Sequence, residues 1–346
     1  MIIVLKSHSS DAEVSQVEQE VRRLGYEPHT IRGVVRTVVA AVGDETTHHT
    51  LETLAVLPMV ERVMPVQKRY KLISRETQPE PTLVKIGPHT LGGGEFHVIA
   101  GPCAIETYEQ LSSSAKAVAD AGATILRGGA YKPRTSPYDF QGLGDEGLKI
   151  LQKVKMQTGM PVVSEVISET DIKKMIPIVD VLQIGARNAL NYSLLEAVSV
   201  TNKPVLLKRG MASTVEEWLL AAEYLVKKGN RNIILCERGI RTFERATRST
   251  LDVSAVAIAK MECNLPVVVD PSHAAGRRDL ITALSKAAIA AGADGLMIEV
   301  HSRPEEAYSD GIQQLDGTMF RNLMKEIEPF VLAAGKKLAA GARGHG

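Results

Sequence analysis

Disulfide-forming cysteine, net charge and long apolar runs are all scarce in this chain, and each scarcity closes off a class of function. Its 346 residues include only three cysteines, Cys103, Cys236 and Cys263, too few for a disulfide framework. In a reducing compartment each stays a thiol, open to service as a ligand. The 41 Lys and Arg nearly cancel the 40 Asp and Glu, so no global basic field draws nucleic acid and no acidic excess favours disorder. No apolar run approaches the roughly 18 residues that span a bilayer. The opening MIIVLKSHSS has no charged stretch leading into a long apolar core and cleavage site. The expectation is a cytoplasmic protein with neither nucleic acid nor membrane as partner. Neither a G-x-G-x-x-G turn after the first barrel strand nor a P-loop appears, which argues against a doubly wound nucleotide-binding sheet.

What is present falls into two patterns. Up to about residue 65 the order reads strand (2–6), helix (11–25), strand (27–32), strand (34–42), helix (46–57), strand (60–65), the βαββαβ order of a ferredoxin-like domain. Ser9, Ser10 and Asp11 offer helix caps, and Gly25 offers a stop. We take 1–70 as this domain and 71–81, with two prolines and little apolar content, as a linker. From Thr82 the cadence changes to short apolar strands alternating with helical stretches. Eight such strands, at 96–100, 124–127, 161–165, 181–185, 204–208, 232–237, 266–270 and 295–299, predict a (β/α)₈ TIM barrel over 82–338, with 339–346 as a flexible tail. A hairpin-like stretch before the first of them is expected to cap the barrel floor.

Ionisable residues gather at the C-terminal ends of these strands, where a barrel builds its site. In strand order they are Cys103, Arg127, Glu165, Arg187, Lys208 with Arg209, Glu237 with Arg238, Asp270 with His273, and Glu299 with His301. Strands eight and one are neighbours in a closed barrel, so Cys103, His273, Glu299 and the later Asp310 fall on adjacent loops. A thiolate, an imidazole and two carboxylates suit Mn²⁺, Fe²⁺, Co²⁺ or Zn²⁺, although a lone cysteine after an apolar strand is more often a small core residue. Arg127, Arg187, Lys208 and Arg238 would repel one another in a desolvated mouth. A bound anion carrying phosphate and carboxylate relieves this, and internal ion pairs with Glu165, Glu237 and Asp270 are the alternative. The turn-rich stretch YKPRTSPYDFQGLG (131–144) reads as a functional loop, with Arg134, Thr135 and Ser136 as a phosphate grip.

Long motifs in order, among them AGPCAIE (100–106), LRGGAYKPRTSPYDFQG (126–142), QIGARN (183–188), LLKRG (206–210), LCERGIRTF (235–243), VVDPSHAAGRR (268–278) and IEVHSRPEEAYSDGIQQL (298–315), carry a resemblance over essentially the whole chain. The sequence resembles the class I, β-subtype of 3-deoxy-D-arabino-heptulosonate 7-phosphate synthase. The resemblance implies condensation of phosphoenolpyruvate with erythrose 4-phosphate, release of phosphate and need for a divalent metal held by Cys103, His273, Glu299 and Asp310. It places phosphoenolpyruvate on Arg127, Lys132, Arg187, Lys208 and Arg238, with Glu165 and the backbone of Gly185 and Ala186 in the same pocket, and the aldose phosphate on Arg134, Thr135 and Ser136. Lys132, Glu165 and Asp270 are the candidate catalytic groups, Lys132 as general acid. The family's H-P-x-P after strand eight reads HSRPEE here, between Glu299 and Asp310. The resemblance further implies a homo-oligomer, dimer or tetramer, and feedback control by tyrosine or phenylalanine at the N-terminal domain. Three rival readings remain: an octulosonate 8-phosphate synthase, whose loop has an asparagine-containing K-A-N-R-S-S pattern where this chain has KPRTS; a Schiff-base aldolase built on Lys208; and a non-catalytic sensor.

Overall fold

The computed structural model of the chain describes residues 1–32, 36–43, 49–64, 69–134 and 136–341. They fall into two compact units, Met1–Arg69 and Tyr70–Gly346.

In the first unit β1 (Ile2–Leu5), α1 (Asp11–Arg23), β2 (Glu27–Arg32), β3 (Thr37–Val42), α2 (His49–Glu52, continued by a 3₁₀ turn over Thr53–Val56) and β4 (Val60–Met64) follow in order. The sheet order is β2-β3-β1-β4, with β1 central and antiparallel to both neighbours. Helix α1 starts where its sequence says it should: Ser10 Oγ accepts from the Glu13 amide and the Glu13 carboxylate accepts from the Ser10 amide, a reciprocal cap. Val14, Val17 and Val21, at helical spacing, form the face that it buries with Ile3, Leu5 and Val39. The helix expected over 46–57 begins partly outside the described residues, and its second half is 3₁₀ rather than α.

The second unit opens with a hairpin, β5 (Val84–Ile86) and β6 (His89–Leu91), followed by β7 (Glu95–Gly101), α3 (Tyr108–Asp120), β8 (Ile125–Arg127), α4 (Asp145–Thr158), β9 (Val162–Val166), α5 (Glu169–Met175), β10 (Val181–Ile184), α6 (Tyr192–Ser199), β11 (Val205–Lys208), α7 (Val215–Lys227), β12 (Ile233–Glu237), α8 (Val253–Glu262), β13 (Val267–Val269), α9 (Pro271–Ala275), α10 (Ile281–Ala290), β14 (Gly295–Glu299), α11 (Gly317–Ala333) and β15 (Lys337–Leu338). Strands β7 to β14 are parallel, each beside the next, and β14 returns to β7 with Gly295 opposite His97 and Glu299 opposite Gly101. The barrel is therefore closed. Its strands read as continuous apolar runs because both faces are covered. One face of each strand packs under the helices. The other forms an inner layer in which Ile99, Val163, Leu206, Val268 and Met297 meet Val84, Ile86 and Leu91 of the hairpin, so the hairpin closes the floor.

Two terminal segments differ from expectation. Residues 71–81, expected as a linker, are bound down to the barrel because they carry their own anchors. Ile73 is buried, Glu223 accepts from the amides of Lys71, Leu72 and Ile73, and the Arg75 guanidinium reaches the carbonyls of Lys260 and Cys263. At the other end Ala339 is buried and donates to the Phe96 carbonyl; residues 342–346 of the expected tail lie outside the described residues. No helix among the described residues is long and apolar enough to cross a membrane.

Candidate active site and metal centre

Each strand delivers a polar side chain at its carboxyl end, and closure brings the first and last strands together. Gly101, the last residue of β7, has φ +147°, and a β-carbon there would lie 2.2 Å from the Arg127 carbonyl oxygen. Only glycine lets the chain turn this close to β8 on its way to Cys103. Cys103, His273, Glu299 and Asp310 then converge, each offering one ligand atom, all within 4.8 Å of one another. Cys103 Sγ lies 3.2 Å from Asp310 Oδ2, and His273 Nε2 lies 3.4 Å from Glu299 Oε1 and 4.0 Å from Asp310 Oδ2.

The donor chemistry fits a divalent cation. His273 sits on α9, where Asp270 caps the helix by accepting from the His273 amide at 2.9 Å. The same carboxylate meets His273 Nδ1 at 2.7 Å, which places the ring proton on Nδ1 and leaves the Nε2 lone pair facing the cluster. Burial pushes the imidazole down to about 4, so it is neutral at physiological pH. Burial and the neighbouring Glu299 push the Cys103 thiol up to about 12. A nearby cation reverses that balance and draws out the thiolate. A buried carboxylate and a half-buried one beside a thiol want a positive charge between them.

The cations around this cluster divide into two groups. Arg127 is buried and donates to Glu299 Oε1 at 2.9 Å; Lys208 is buried and meets Asp270 Oδ2 at 2.6 Å. These two have internal counter-charges, the alternative that the sequence left open, and Lys208 lines the mouth as well. Lys208 Nζ is engaged by a buried carboxylate at this distance, which argues against its service as a Schiff-base nucleophile. Arg209 turns away from the mouth to Glu237 and Asp252, at 3.0 and 2.9 Å. A cavity of about 520 Å³ opens at the mouth, lined by Lys132, Arg134, Arg187, Lys208, Arg238 and Arg248, with Glu165, Gly185, Ala186, His273 and Asp310. For Lys132, burial alone would favour the neutral amine, but the charges of Cys103 and Glu165 outweigh it and leave the ammonium firmer than usual. Glu165 accepts from Gln183 at 3.3 Å and presses against Gly185, where a β-carbon would fall 1.9 Å from its Oε1.

Set beside known proteins, the catalytic unit has clear kin. The family model described as "DAHP synthetase I family" matches residues 76–332, and that of the "DAHP synthase ferredoxin-like domain" matches residues 1–68. The chain belongs to the DAHP synthetase I family. A phospho-2-dehydro-3-deoxyheptonate aldolase of Thermotoga maritima is 48% identical over 98% of this chain and 100% of its own length. A crystal structure of the DAHP synthase of that organism superposes with a TM-score of 0.88, over 98% of this chain and 99% of that one. A 2-dehydro-3-deoxyphosphooctonate aldolase of Acidithiobacillus ferrooxidans is more distant, 34% identical over 62% of this chain and 82% of its own length. The expected barrel with its N-terminal ferredoxin-like domain is thus the family's architecture as well as the one seen here.

The structure distributes the residues named from the sequence unevenly. Lys132, Arg134, Glu165, Gly185, Ala186, Arg187, Lys208, Arg238 and the two ligand candidates His273 and Asp310 line one cavity. Cys103, Glu299, Asp270 and Arg127 are buried. Thr135 lies outside the described residues, and Ser136 Oγ caps its own turn by accepting from the Tyr138 amide at 3.2 Å. His301, also at a strand end, is a loop anchor: its Nδ1 accepts from the Arg303 amide at 3.0 Å, so Nε2 carries the proton toward Glu106, 3.3 Å away. That anchor carries the HSRPEE segment, in which Ser302 bonds Ser114 and the exposed Arg303 pairs with Glu306. The loop still delivers Asp310 to the cluster.

Three residues escaped the sequence reading. Gln313 is buried and donates to Glu299 Oε2, Gln314 accepts from the Cys103 amide at 3.1 Å, and Arg248 lines the mouth. The two glutamines sit side by side after Asp310 in a loop, where neutral amides give no periodicity to notice.

Proposed function

We propose that the barrel condenses phosphoenolpyruvate with erythrose 4-phosphate and water, giving 3-deoxy-D-arabino-heptulosonate 7-phosphate and inorganic phosphate, with a divalent metal held by Cys103, His273, Glu299 and Asp310. The observation that carries the reading is the juxtaposition of four convergent ligand atoms with a cavity walled by arginine and lysine. A substrate bearing both phosphate and carboxylate is the kind of anion that such a wall recognises. Mn²⁺, Fe²⁺, Co²⁺ and Zn²⁺ all suit the mixed donor set.

In the condensation the methylene carbon of the enol phosphate bonds to the aldehyde carbon, whose oxygen takes up a proton. Water adds at the former enol carbon, and the carbon–oxygen bond to phosphate then breaks. A metal held by Cys103, His273, Glu299 and Asp310 would supply Lewis acidity for the aldehyde. Arg187, Arg238 and Lys208 hold phosphoenolpyruvate by its phosphate and carboxylate, and Arg134 of the 131–144 loop receives the aldose phosphate. Lys132 reaches the mouth as an ammonium and gives up the proton to the new alkoxide. Glu165, which lines the same mouth beside Lys132, manages the protons of the water. Asp270 acts at one remove by fixing His273 and Lys208.

An assay with phosphoenolpyruvate and erythrose 4-phosphate before and after EDTA tests the reading. Turnover that EDTA abolishes and added Mn²⁺ restores is expected. Turnover of arabinose 5-phosphate in place of erythrose 4-phosphate would move the chain to the octulosonate reaction. Near-normal turnover by Lys132→Met would remove that residue's role. The N-terminal domain we read as a sensor of tyrosine or phenylalanine in a homo-oligomer; its removal should abolish inhibition by either and leave the barrel active.

A further inference from the structure

Beyond β14 the chain turns back over the strand ends with Asp310 at φ +57°, a left-handed conformation that few non-glycine residues adopt. Such a residue persists only where its surroundings over-determine it, and here they do. Cys103 Sγ touches Oδ2, Arg248 Nη1 donates to Oδ1 at 3.2 Å, and the Arg278 guanidinium grips the carbonyls of Gly311 and Ile312 at 2.9 and 3.1 Å. Gly311 packs so close to the Pro304 carbonyl that a β-carbon would come within 2.4 Å of its oxygen.

Arg248 has a second bond. The same Nη1 donates to Gln313 Oε1 at 3.1 Å, while Gln313 Nε2 donates to Glu299 Oε2. Both bonds form only when the amide oxygen faces the guanidinium and the amide nitrogen faces the carboxylate. Arg248 thereby fixes which way Gln313 points, and through it the rotation of Glu299. The arginine is anchored in turn: its amide donates to Ala275 O at 3.0 Å and that of Ser249 to Ala274 O at 2.9 Å, so this segment runs along α9, the helix that carries His273. Gly276 leaves the room, since a β-carbon there would fall 2.5 Å from Arg248 Cβ.

We propose that Arg248 is a positioning residue for the metal centre. It aims Asp310 directly and Glu299 through Gln313, and ties the loop after β12 to the loop after β14. The inference rests on the metal reading above and goes beyond it by assigning the orientation of two ligands to a residue that ligates nothing. It also distinguishes Arg248 from the other arginines of the mouth, whose role is to hold substrate.

Calorimetric titration of Mn²⁺ into the EDTA-treated, dialysed full chain tests it. Arg248→Met should weaken Mn²⁺ binding by about 10–100-fold, the range seen when an outer partner of a ligand is removed. Arg248→Lys keeps the charge and a donor and should lose less, about tenfold at most. Gln313→Leu releases Glu299 alone. The double variant should lose less than the product of the two single losses, because both act along one path. Mn²⁺ binding at wild-type strength in Arg248→Met, with a raised KM for the aldose phosphate, would make Arg248 a substrate contact and overturn the inference. Losses that simply multiply would overturn the Gln313 relay. Should Arg248→Met fail to give the native circular dichroism spectrum, Arg248→Lys and Gln313→Leu carry the same comparison. Failure of the wild-type chain to bind Mn²⁺ would instead sink the metal reading, and with it any cation to position.

Discussion

Asp270→Asn is the substitution in which the geometry of this site is most exposed. The Asp270 carboxylate is fully buried and makes three bonds: Oδ2 to Lys208 Nζ at 2.6 Å and to His273 Nδ1 at 2.7 Å, and Oδ1 to the His273 amide at 2.9 Å. Burial opposes its charge, yet His273 and Lys208 hold it well below the usual carboxylate range. Asparagine has the same shape but only one acceptor. With its oxygen toward Lys208 and His273, its NH₂ faces the His273 amide, donor against donor. Flipped, it faces an ammonium and a ring N–H. The first orientation loses one hydrogen bond and the flipped one loses two, and in both Lys208 is left buried without its counter-charge. Breaking a buried pair from one side costs about 3–5 kcal/mol; because one acceptor survives, we expect about 3 kcal/mol in urea unfolding of the metal-free protein. The ring of His273 also loses its orienting carboxylate, which should weaken Mn²⁺ binding by roughly 10–100-fold. Unfolding and calorimetric titration give the two numbers independently. Stability and Mn²⁺ affinity both at wild-type values would refute the argument that Asp270 holds the pair together.

Other expectations follow from single distances. Gly185→Ala places a β-carbon 1.9 Å from Glu165 Oε1, so Glu165 must move; a displacement near 1 Å costs about 10²-fold in rate, and kcat/KM should fall by that order with Mn²⁺ binding retained. Asp294 is buried between Lys260 and Lys336, at 2.7 and 2.9 Å, and also accepts from the Val267 amide. Burial would raise its pKa, but the two ammonium groups outweigh it and leave it depressed. Its stabilising contribution is therefore complete above the ordinary carboxyl value of 3.8 and is lost as pH falls through the lower folded value. Urea midpoints followed into acid should drop more steeply for the wild-type chain than for Asp294→Asn, and parallel curves would contradict this. His301→Phe should loosen the loop that bears Asp310, by removing the bonds to Glu106 and the Arg303 amide. We expect weaker Mn²⁺ binding with little change in the KM for phosphoenolpyruvate, measured by steady-state kinetics at saturating metal.

Much of this architecture was legible because strands buried on both faces leave unbroken apolar runs, and eight of them at regular spacing leave little else to build. The strand ends were legible for the same reason, since a charge that stops such a run must face the mouth. Four ligand candidates on four separate segments could be named together only because closure makes β14 and β7 neighbours. What stayed hidden was pairing. No pattern distinguishes an arginine that waits for substrate from one that neutralises a carboxylate, and so Arg127 and Lys208 were grouped with Arg187 and Arg238. Gln313, Gln314 and Arg248 were invisible because their roles arise from loop-to-loop contacts far apart in the chain. The stretch at 71–81 looked like a linker because its composition is polar; its attachment depends on a few hydrogen bonds to the barrel and on the buried Ile73 and Ser74.

The floor hairpin has a consequence for traffic. With Val84, Ile86 and Leu91 sealing the bottom and side chains filling the interior, the barrel is a vessel with one opening. Two substrates, a water, a sugar acid and a phosphate ion must all pass the same rim. Whatever sits deepest has to arrive before its companion and depart after it. For the proposed condensation the expectation is an ordered kinetic scheme, set by a hairpin at the end of the barrel opposite the mouth.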